Sequence, residues 1–206
     1  MSAFVVLEGP EGAGKTTQLE RLAARVPDAV VTREPGGTRG GEAVRATLLD
    51  PDAAWSPLAE ALLMSAARDA HLREVVLPAL GAGRTVLCDR FADSTEAYQG
   101  GGGGLPDDVI GVLRGWVCPR EADLVLVFDI DPEAGLARAA ARGRADRFEA
   151  KGLAYHARVR ERFREVARRE NAVLIDASGP PHAVAVSVAE AVAERLPGVL
   201  RAGDAD

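Results

Sequence analysis

Five short apolar runs, several rich in β-branched residues, punctuate the chain at positions 4–7, 29–32, 85–88, 124–129 and 173–175. Apolar residues follow one another in these runs without alternation, as in strands buried on both faces. Between them, at 15–25, 41–49, 57–80, 106–117, 132–142, 153–170 and 182–196, apolar residues recur with helical spacing. Such alternation predicts an α/β fold, a five-stranded parallel sheet covered by helices on both faces. Ser56-Pro57 and Asp131-Pro132 each join an N-cap side chain to a proline at the first helical position, so helices should begin there. The glycine run at 100–104 offers no side chain to pack and loses the most entropy on ordering, so a mobile loop is expected. One alternating pattern continues on both sides of it, which argues against an interdomain linker and for a single domain over 1–206, frayed from about 198.

Composition narrows the class. With 206 residues, 47% hydrophobic and 27% charged, the chain is long enough to bury one core and is neither disordered nor fibrous. A net charge of −6 disfavours a nonspecific nucleic-acid binder, although arginines concentrate between Arg138 and Arg169. The apolar start at 3–7 is too short for a membrane span and lacks the basic lead of a signal peptide, so a cytoplasmic location is expected. Cys88 and Cys118 have no metal-ligand spacing and read as reduced, small core residues.

The first strand runs into Gly9-Pro10-Glu11-Gly12-Ala13-Gly14-Lys15-Thr16, and a helix follows. Glycines at these positions let successive backbone N–H groups turn toward one anion, and the helix adds the positive end of its dipole. The pattern is that of an ATP phosphate cradle, with Lys15 reaching the β- and γ-phosphates, Thr16 coordinating Mg²⁺ and Thr17 in a lesser first-turn role. Only one other lysine, Lys151, occurs in a chain that otherwise uses arginine, so Lys15 does not reflect background usage. Asp89 closes the third strand at the carboxyl edge where ligands of open α/β sheets collect; it reads either as a second metal ligand or as a helix N-cap. Arg90 is either a bidentate holder of a second phosphate or half of a surface ion pair. Arg138, Arg142, Arg144 and Arg147, interrupted by Gly143, form either a lid over 138–152 that closes on phosphates or a solvated basic face.

Taken together, 8–17, Thr32-Arg33-Glu34-Pro35-Gly36-Gly37-Thr38, Asp89-Arg90-Phe91 and Ser94-Thr95-Glu96-Ala97-Tyr98-Gln99-Gly100 resemble the bacterial thymidylate kinase family, in order and over nearly the whole chain. The resemblance implies a P-loop nucleoside monophosphate kinase fold and transfer of the γ-phosphoryl of ATP to dTMP, giving dTDP and ADP. It implies that Glu11 meets the acceptor's 3′-hydroxyl, that Arg33 and Arg90 lie near its phosphate, and that Arg68 donates to the thymine edge. By the same resemblance Thr95 and Gln99 approach the base, while Tyr98 lies under the sugar and excludes a ribose 2′-hydroxyl. Helical spacing alone leaves Tyr98 equally readable as plain core. Where many members stack a phenylalanine on the base, this chain has Met64, a softer thioether contact. Pro10 and Ala13 leave the P-loop without an arginine, so the bacterial pattern assigns the catalytic guanidinium to Arg144 or Arg147 of the lid. A homodimer across the 57–80 helix is also implied. Kinases of dUMP, a cytidylate or a deoxynucleoside remain the nearest alternatives; a GTPase switch lacks its Asn-Lys-x-Asp motif, and intact Lys15, Thr16 and Asp89 oppose a noncatalytic module.

Overall fold

A computed structural model describes residues 2–141, 143 and 146–201. Strands β1 (Phe4–Glu8), β2 (Val30–Arg33), β3 (Val86–Asp89), β4 (Leu124–Asp129) and β5 (Ala172–Asp176) form one sheet in the order β2-β3-β1-β4-β5. Every pairing is parallel. All five residues of β1 are buried, as its unbroken apolar run requires at the centre of a two-faced sheet. Val5 and Leu7 face one core with α1 (Lys15–Arg25) and α9 (Pro181–Arg195). Phe4 and Val6 face the other, which includes Phe91, Tyr98, Phe148 and Phe163.

The expected caps form: Ser56 Oγ accepts from the Ala59 N–H at 3.2 Å, and Asp131 Oδ1 from Glu133 and Ala134 at 3.0 and 3.3 Å. These start α3 (Pro57–His71) and α7 (Pro132–Ala140). The helix expected over 57–80 passes through one wide turn at Leu72–Val76 before α4 (Leu77–Gly81). Pro78 is the cause, since its ring excludes a normal turn and its missing N–H leaves a carbonyl over; the Leu77 N–H reaches back to Leu72 instead. Cys88 is fully buried as expected, but Cys118, just past α6 (Asp107–Val117), is only partly so. The tail is docked further than expected: Val199 is buried and the Arg201 N–H donates to Arg25 O at 2.9 Å.

The glycine run departs most from expectation. After the short α5 (Ala92–Thr95), Glu96–Gly102 continues as a helix of wide turns, with Gly100 and Gly102 buried. The reason is close packing against α8 (Leu153–Val166): a Cβ on Gly102 would lie 2.5 Å from the Tyr155 ring, and one on Gly101 3.0 Å from Arg158 O. Carbonyls that such turns leave over are taken by α8, Arg158 donating to Gly101 O (3.1 Å) and Gly102 O (2.7 Å) and the Tyr155 hydroxyl to Tyr98 O (3.0 Å). Tertiary contact thus outweighs the entropic penalty of glycine. Gly102→Ala is expected to lower stability by about 1–3 kcal/mol, because Tyr155 is tethered and cannot swing aside; denaturant unfolding with an unchanged midpoint would contradict this packing account.

Candidate active site

The site lies at the carboxyl edge of β1 and β3, whose register sets Leu7 beside Asp89. The loop after β1 turns through Gly9 (φ 140), Gly12 (φ 70) and Gly14 (φ 81) into α1. Gly12 approaches α7 so closely that a Cβ would fall 1.9 Å from Gly135 O, which fixes the loop against that helix. Gly14 caps α1 with no side chain, so the first-turn N–H groups stay available to an anion. Lys15 Nζ folds back onto Gly9 O (2.8 Å) and Pro10 O (2.9 Å), and burial, with help from Arg90, lowers its pKa to about 8. A second anion contact would oppose both effects.

Thr16 Oγ1 donates to Asp89 Oδ2 at 3.0 Å, and Asp89 Oδ1 is buried with no hydrogen-bond partner. Asp89 therefore does not serve as the N-cap of α5; Phe91 occupies that position, without a side-chain cap. One orphaned carboxylate oxygen beside a hydroxyl is a hard-donor pair suited to a small divalent cation that keeps most of its other ligands from phosphate and water. Among the described residues no cluster of three or more His, Cys, Asp or Glu could hold a metal by itself.

Arg90 adopts the left-handed conformation, φ 71, which is strained for a side-chain-bearing residue. That turn sends its guanidinium across the P-loop, donating to Gly9 O (2.9 Å), Ser94 Oγ (3.2 Å) and Glu11 Oε1 (2.8 Å). Glu11 also accepts from the Tyr98 hydroxyl at 2.7 Å, and Arg90 lies 5.0 Å over the Tyr98 ring. Burial and the adjacent Glu11 push the Tyr98 phenol well above its usual pKa, so it stays a donor. Underneath, Glu8 is fully buried and accepts from Phe91 N (2.8 Å), Ser94 N (3.0 Å) and Ser94 Oγ (2.6 Å), holding the backbone that carries Arg90. Burial, with Asp93 nearby, raises the Glu8 carboxyl to about 7 against the pull of Arg90. Asp93 and Glu96 on the back of this segment are each gripped by both Arg114 and Arg169 at 2.6–2.7 Å.

Two cavities meet here. One, polar, holds Glu11, Gly12, Gly14, Lys15, Thr16 and Asp89. The other is lined by Glu34, Pro35, Leu49, Met64, Ser94, Tyr98 and Phe148. Glu11, Arg45, Arg90 and Asp146 line both. A smaller pocket behind the loop, with Thr17, Gln18, Arg138, Gly179 and Pro181, extends the polar cavity's side of the molecule.

The remaining expected site residues divide. Met64 and Tyr98 line the cavity that also holds Glu34 and Phe148. Arg68 is buried below it, donating to Glu34 Oε2 (2.8 Å), Phe91 O (3.0 Å) and Thr95 Oγ1 (3.2 Å), so Arg68 and Thr95 join each other rather than line the cavity. Gln99 is likewise buried and bonded to Glu60. Arg33 turns outward, 54% exposed and paired with Glu42 at 3.0 Å, in a neighbouring cleft. Arg147 is held by Leu48 O (3.0 Å) and Glu60 Oε1 (2.8 Å) and covers Phe148. Arg138 is tied to Ala177 O and Ser178 O. Arg142 and Arg144 lie outside the described residues. Sequence reasoning missed Arg45 and Phe148. Arg45 sits on α2 (Arg39–Leu49), donating to Pro35 O at 3.0 Å, and no spacing marks it among 25 basic residues. Phe148 supplies an aromatic to the wall where Met64 had suggested there was none; its adjacency to the arginine cluster hid it as lid.

A P-loop abutting an aromatic-walled anion cavity on a five-stranded parallel sheet defines the class: a P-loop nucleoside monophosphate kinase. The thymidylate kinase family model matches residues 7–188. A thymidylate kinase of Caulobacter vibrioides is 49% identical over 94% of this chain and 97% of its own length, and one of Deinococcus radiodurans 47% identical over 93% and 97%. The crystal structure of thymidylate kinase from Ehrlichia chaffeensis superposes with a TM-score of 0.77 at 30% identity, covering 93% of this chain and 98% of that one. The chain belongs to the thymidylate kinase family.

Proposed function

We propose that the chain moves the γ-phosphoryl of ATP onto the 5′-phosphate of dTMP, and that the two abutting cavities are its donor and acceptor sites. The observation that carries this reading is their common wall of Glu11, Arg45, Arg90 and Asp146, which sets an acceptor anion directly against the phosphate loop. The α1 N-terminus and Lys15 hold the donor phosphates, and the pocket of Thr17, Arg138 and Gly179 takes the nucleoside end of ATP. Thr16 and Asp89 would hold Mg²⁺, which when bound neutralises charge on the donor phosphates. Arg90 and Arg45 hold the acceptor phosphate, offsetting repulsion between two polyanions. That phosphate is already ionised at neutral pH, so its oxygen needs no general base to attack. Pairing to Arg90 and Tyr98 makes Glu11 acceptor-only, matched to a sugar hydroxyl, and the Tyr98 ring closes the space a 2′-hydroxyl would need. Arg33, as placed, would approach the acceptor only after releasing Glu42. The late guanidinium of phosphoryl transfer falls to Arg144 or Arg147 of the lid; as placed, Arg147 pairs with Glu60 and covers Phe148.

No helix among the described residues is long and apolar enough to cross a membrane. Leu58 and Leu62 on α3 and Val112 and Trp116 on the adjoining α6 are all exposed, and this apolar patch supports a homodimer that sedimentation should detect. The activity is tested by coupled ADP release with dTMP, dUMP, the ribose analogue of dTMP, dCMP and dGMP. dTMP should give the highest kcat/KM, and no stimulation by dTMP over buffer would refute the reading.

A further inference from the structure

We infer that Glu8 is a positioning residue for the Arg90 side chain: by accepting the hydrogen bond of the Ser94 hydroxyl it turns a lone pair of that oxygen toward Arg90, which pins the guanidinium to the wall shared by the two cavities. The consequence for the reaction rests on the reading of Arg90 as a holder of the acceptor phosphate; the pinning itself does not.

Glu8 closes β1 and is fully buried, and its two oxygens have separate duties. Oε1 accepts from the Phe91 and Ser94 N–H groups at 2.8 and 3.0 Å, whereas Oε2 accepts from the Ser94 hydroxyl at 2.6 Å. Arg90 Nη1 in turn donates to Ser94 Oγ at 3.2 Å. A guanidinium offers no lone pair and an ionised carboxylate no proton, so the buried hydroxyl has one direction: its proton toward Glu8, a lone pair toward Arg90. Donating to a carboxylate also makes Oγ the stronger acceptor. The backbone at Arg90 has holds of its own, since its N–H donates to Leu7 O at 2.9 Å and its carbonyl accepts from Cys88 Sγ at 3.0 Å. Oε1 thus shares in a turn that other groups also fix, while Oε2 acts on the side chain. The partners Gly9 O and Glu11 belong to the phosphate loop, but Ser94 lies off it and lines the cavity with Met64 and Tyr98. Ser94 is therefore the contact that keeps Arg90 over that cavity rather than on the loop alone.

The test is Glu8→Gln, which keeps the shape of the side chain. The Phe91 and Ser94 N–H groups demand the amide oxygen, so the NH₂ lands where Oε2 was and meets Ser94 Oγ as a donor. The hydroxyl proton then loses its acceptor, and Arg90 must share Oγ with a second donor. Measurement at about pH 8 keeps the native carboxylate ionised, because burial raises Glu8 only to about 7. In ¹⁵N NMR of the empty enzyme, with the Arg90 signals assigned by Arg90→Lys, the pinned guanidinium should show slow rotation of its Nη groups and the variant fast rotation. Equal rotation overturns the inference. Calorimetry without ATP should give a Kd for dTMP raised about tenfold, the scale of one charge-assisted hydrogen bond, with the Kd for ATP within about threefold. A merely structural role would weaken both ligands alike. In an Arg90→Ala background Glu8→Gln should shift the Kd for dTMP by less than about twofold; a full tenfold loss there would mean that Glu8 acts by another route, and the inference falls. Where Glu8→Gln does not fold, Ser94→Ala removes the same contact and must meet the same three expectations. If Arg90 loosens in the variant but the native enzyme binds no dTMP, the acceptor reading is wrong and the positioning role stands.

Discussion

Lys15→Ala is expected to lower kcat by roughly a thousandfold or more while changing KM for dTMP by less than about threefold, in line with removal of a preorganised cation from the transferring group. The ammonium sits among Gly9 O, Pro10 O and a ring of charges, with Glu11, Asp89 and Glu8 favouring its charged form and burial opposing it more strongly. Its folded pKa of about 8 lies below the ordinary lysine value of 10.5, so in the empty enzyme it loses its proton as pH rises through 8. ATP phosphates favour the charged form and pull that pKa upward. Binding of ATP at pH 8–9 should therefore take up protons, whereas at pH 6 it should not. Calorimetry in buffers of different ionisation enthalpy measures this directly. Proton uptake of equal size in Lys15→Ala would show that another group is responsible.

Arg90→Ala should lower kcat/KM for dTMP by about a thousandfold, with the loss shared between KM and kcat, because one guanidinium serves both the acceptor anion and the organisation of Glu11. Arg90→Lys should recover little. A point charge cannot reach Gly9 O, Ser94 Oγ and Glu11 together as the planar fork does. The same position offers an independent check on strain. At φ 71 an alanine keeps the left-handed penalty of about 1–3 kcal/mol and glycine does not. Arg90→Gly should therefore unfold at higher denaturant than Arg90→Ala while being equally inactive. Equal midpoints would mean that the backbone relaxes when the guanidinium is gone.

The two residues differ in how visible they are in the sequence. Lys15 is specified by local pattern, since an eight-residue loop between a strand and a helix allows one arrangement of its N–H groups. Arg90 is legible as an arginine after a strand-end aspartate. Nothing local shows that it spans to Gly9 and Glu11, residues 81 and 79 positions away. Resemblance puts Arg33 near the acceptor phosphate and Arg68 at the thymine edge, and each also reads as an ordinary helix or loop charge; as placed, Glu42 turns Arg33 outward and Glu34 draws Arg68 under the cavity. Arg147 reads as lid, but Glu60 and Leu48 O hold it to the acceptor wall.

Sequence by itself determined the sheet, its buried strands, the capped starts of α3 and α7, and the phosphate loop, because each depends on periodicity or on turn chemistry within a few residues. Tertiary structure alone decided the wide-turn helix made from glycines, the pairing of Thr16 with Asp89, the entry of Arg45 and Phe148 into the site, and the burial of Gln99 against Glu60. Those outcomes depend on which side chain from a distant element comes within hydrogen-bond reach. Burial makes every such partner obligatory without naming it.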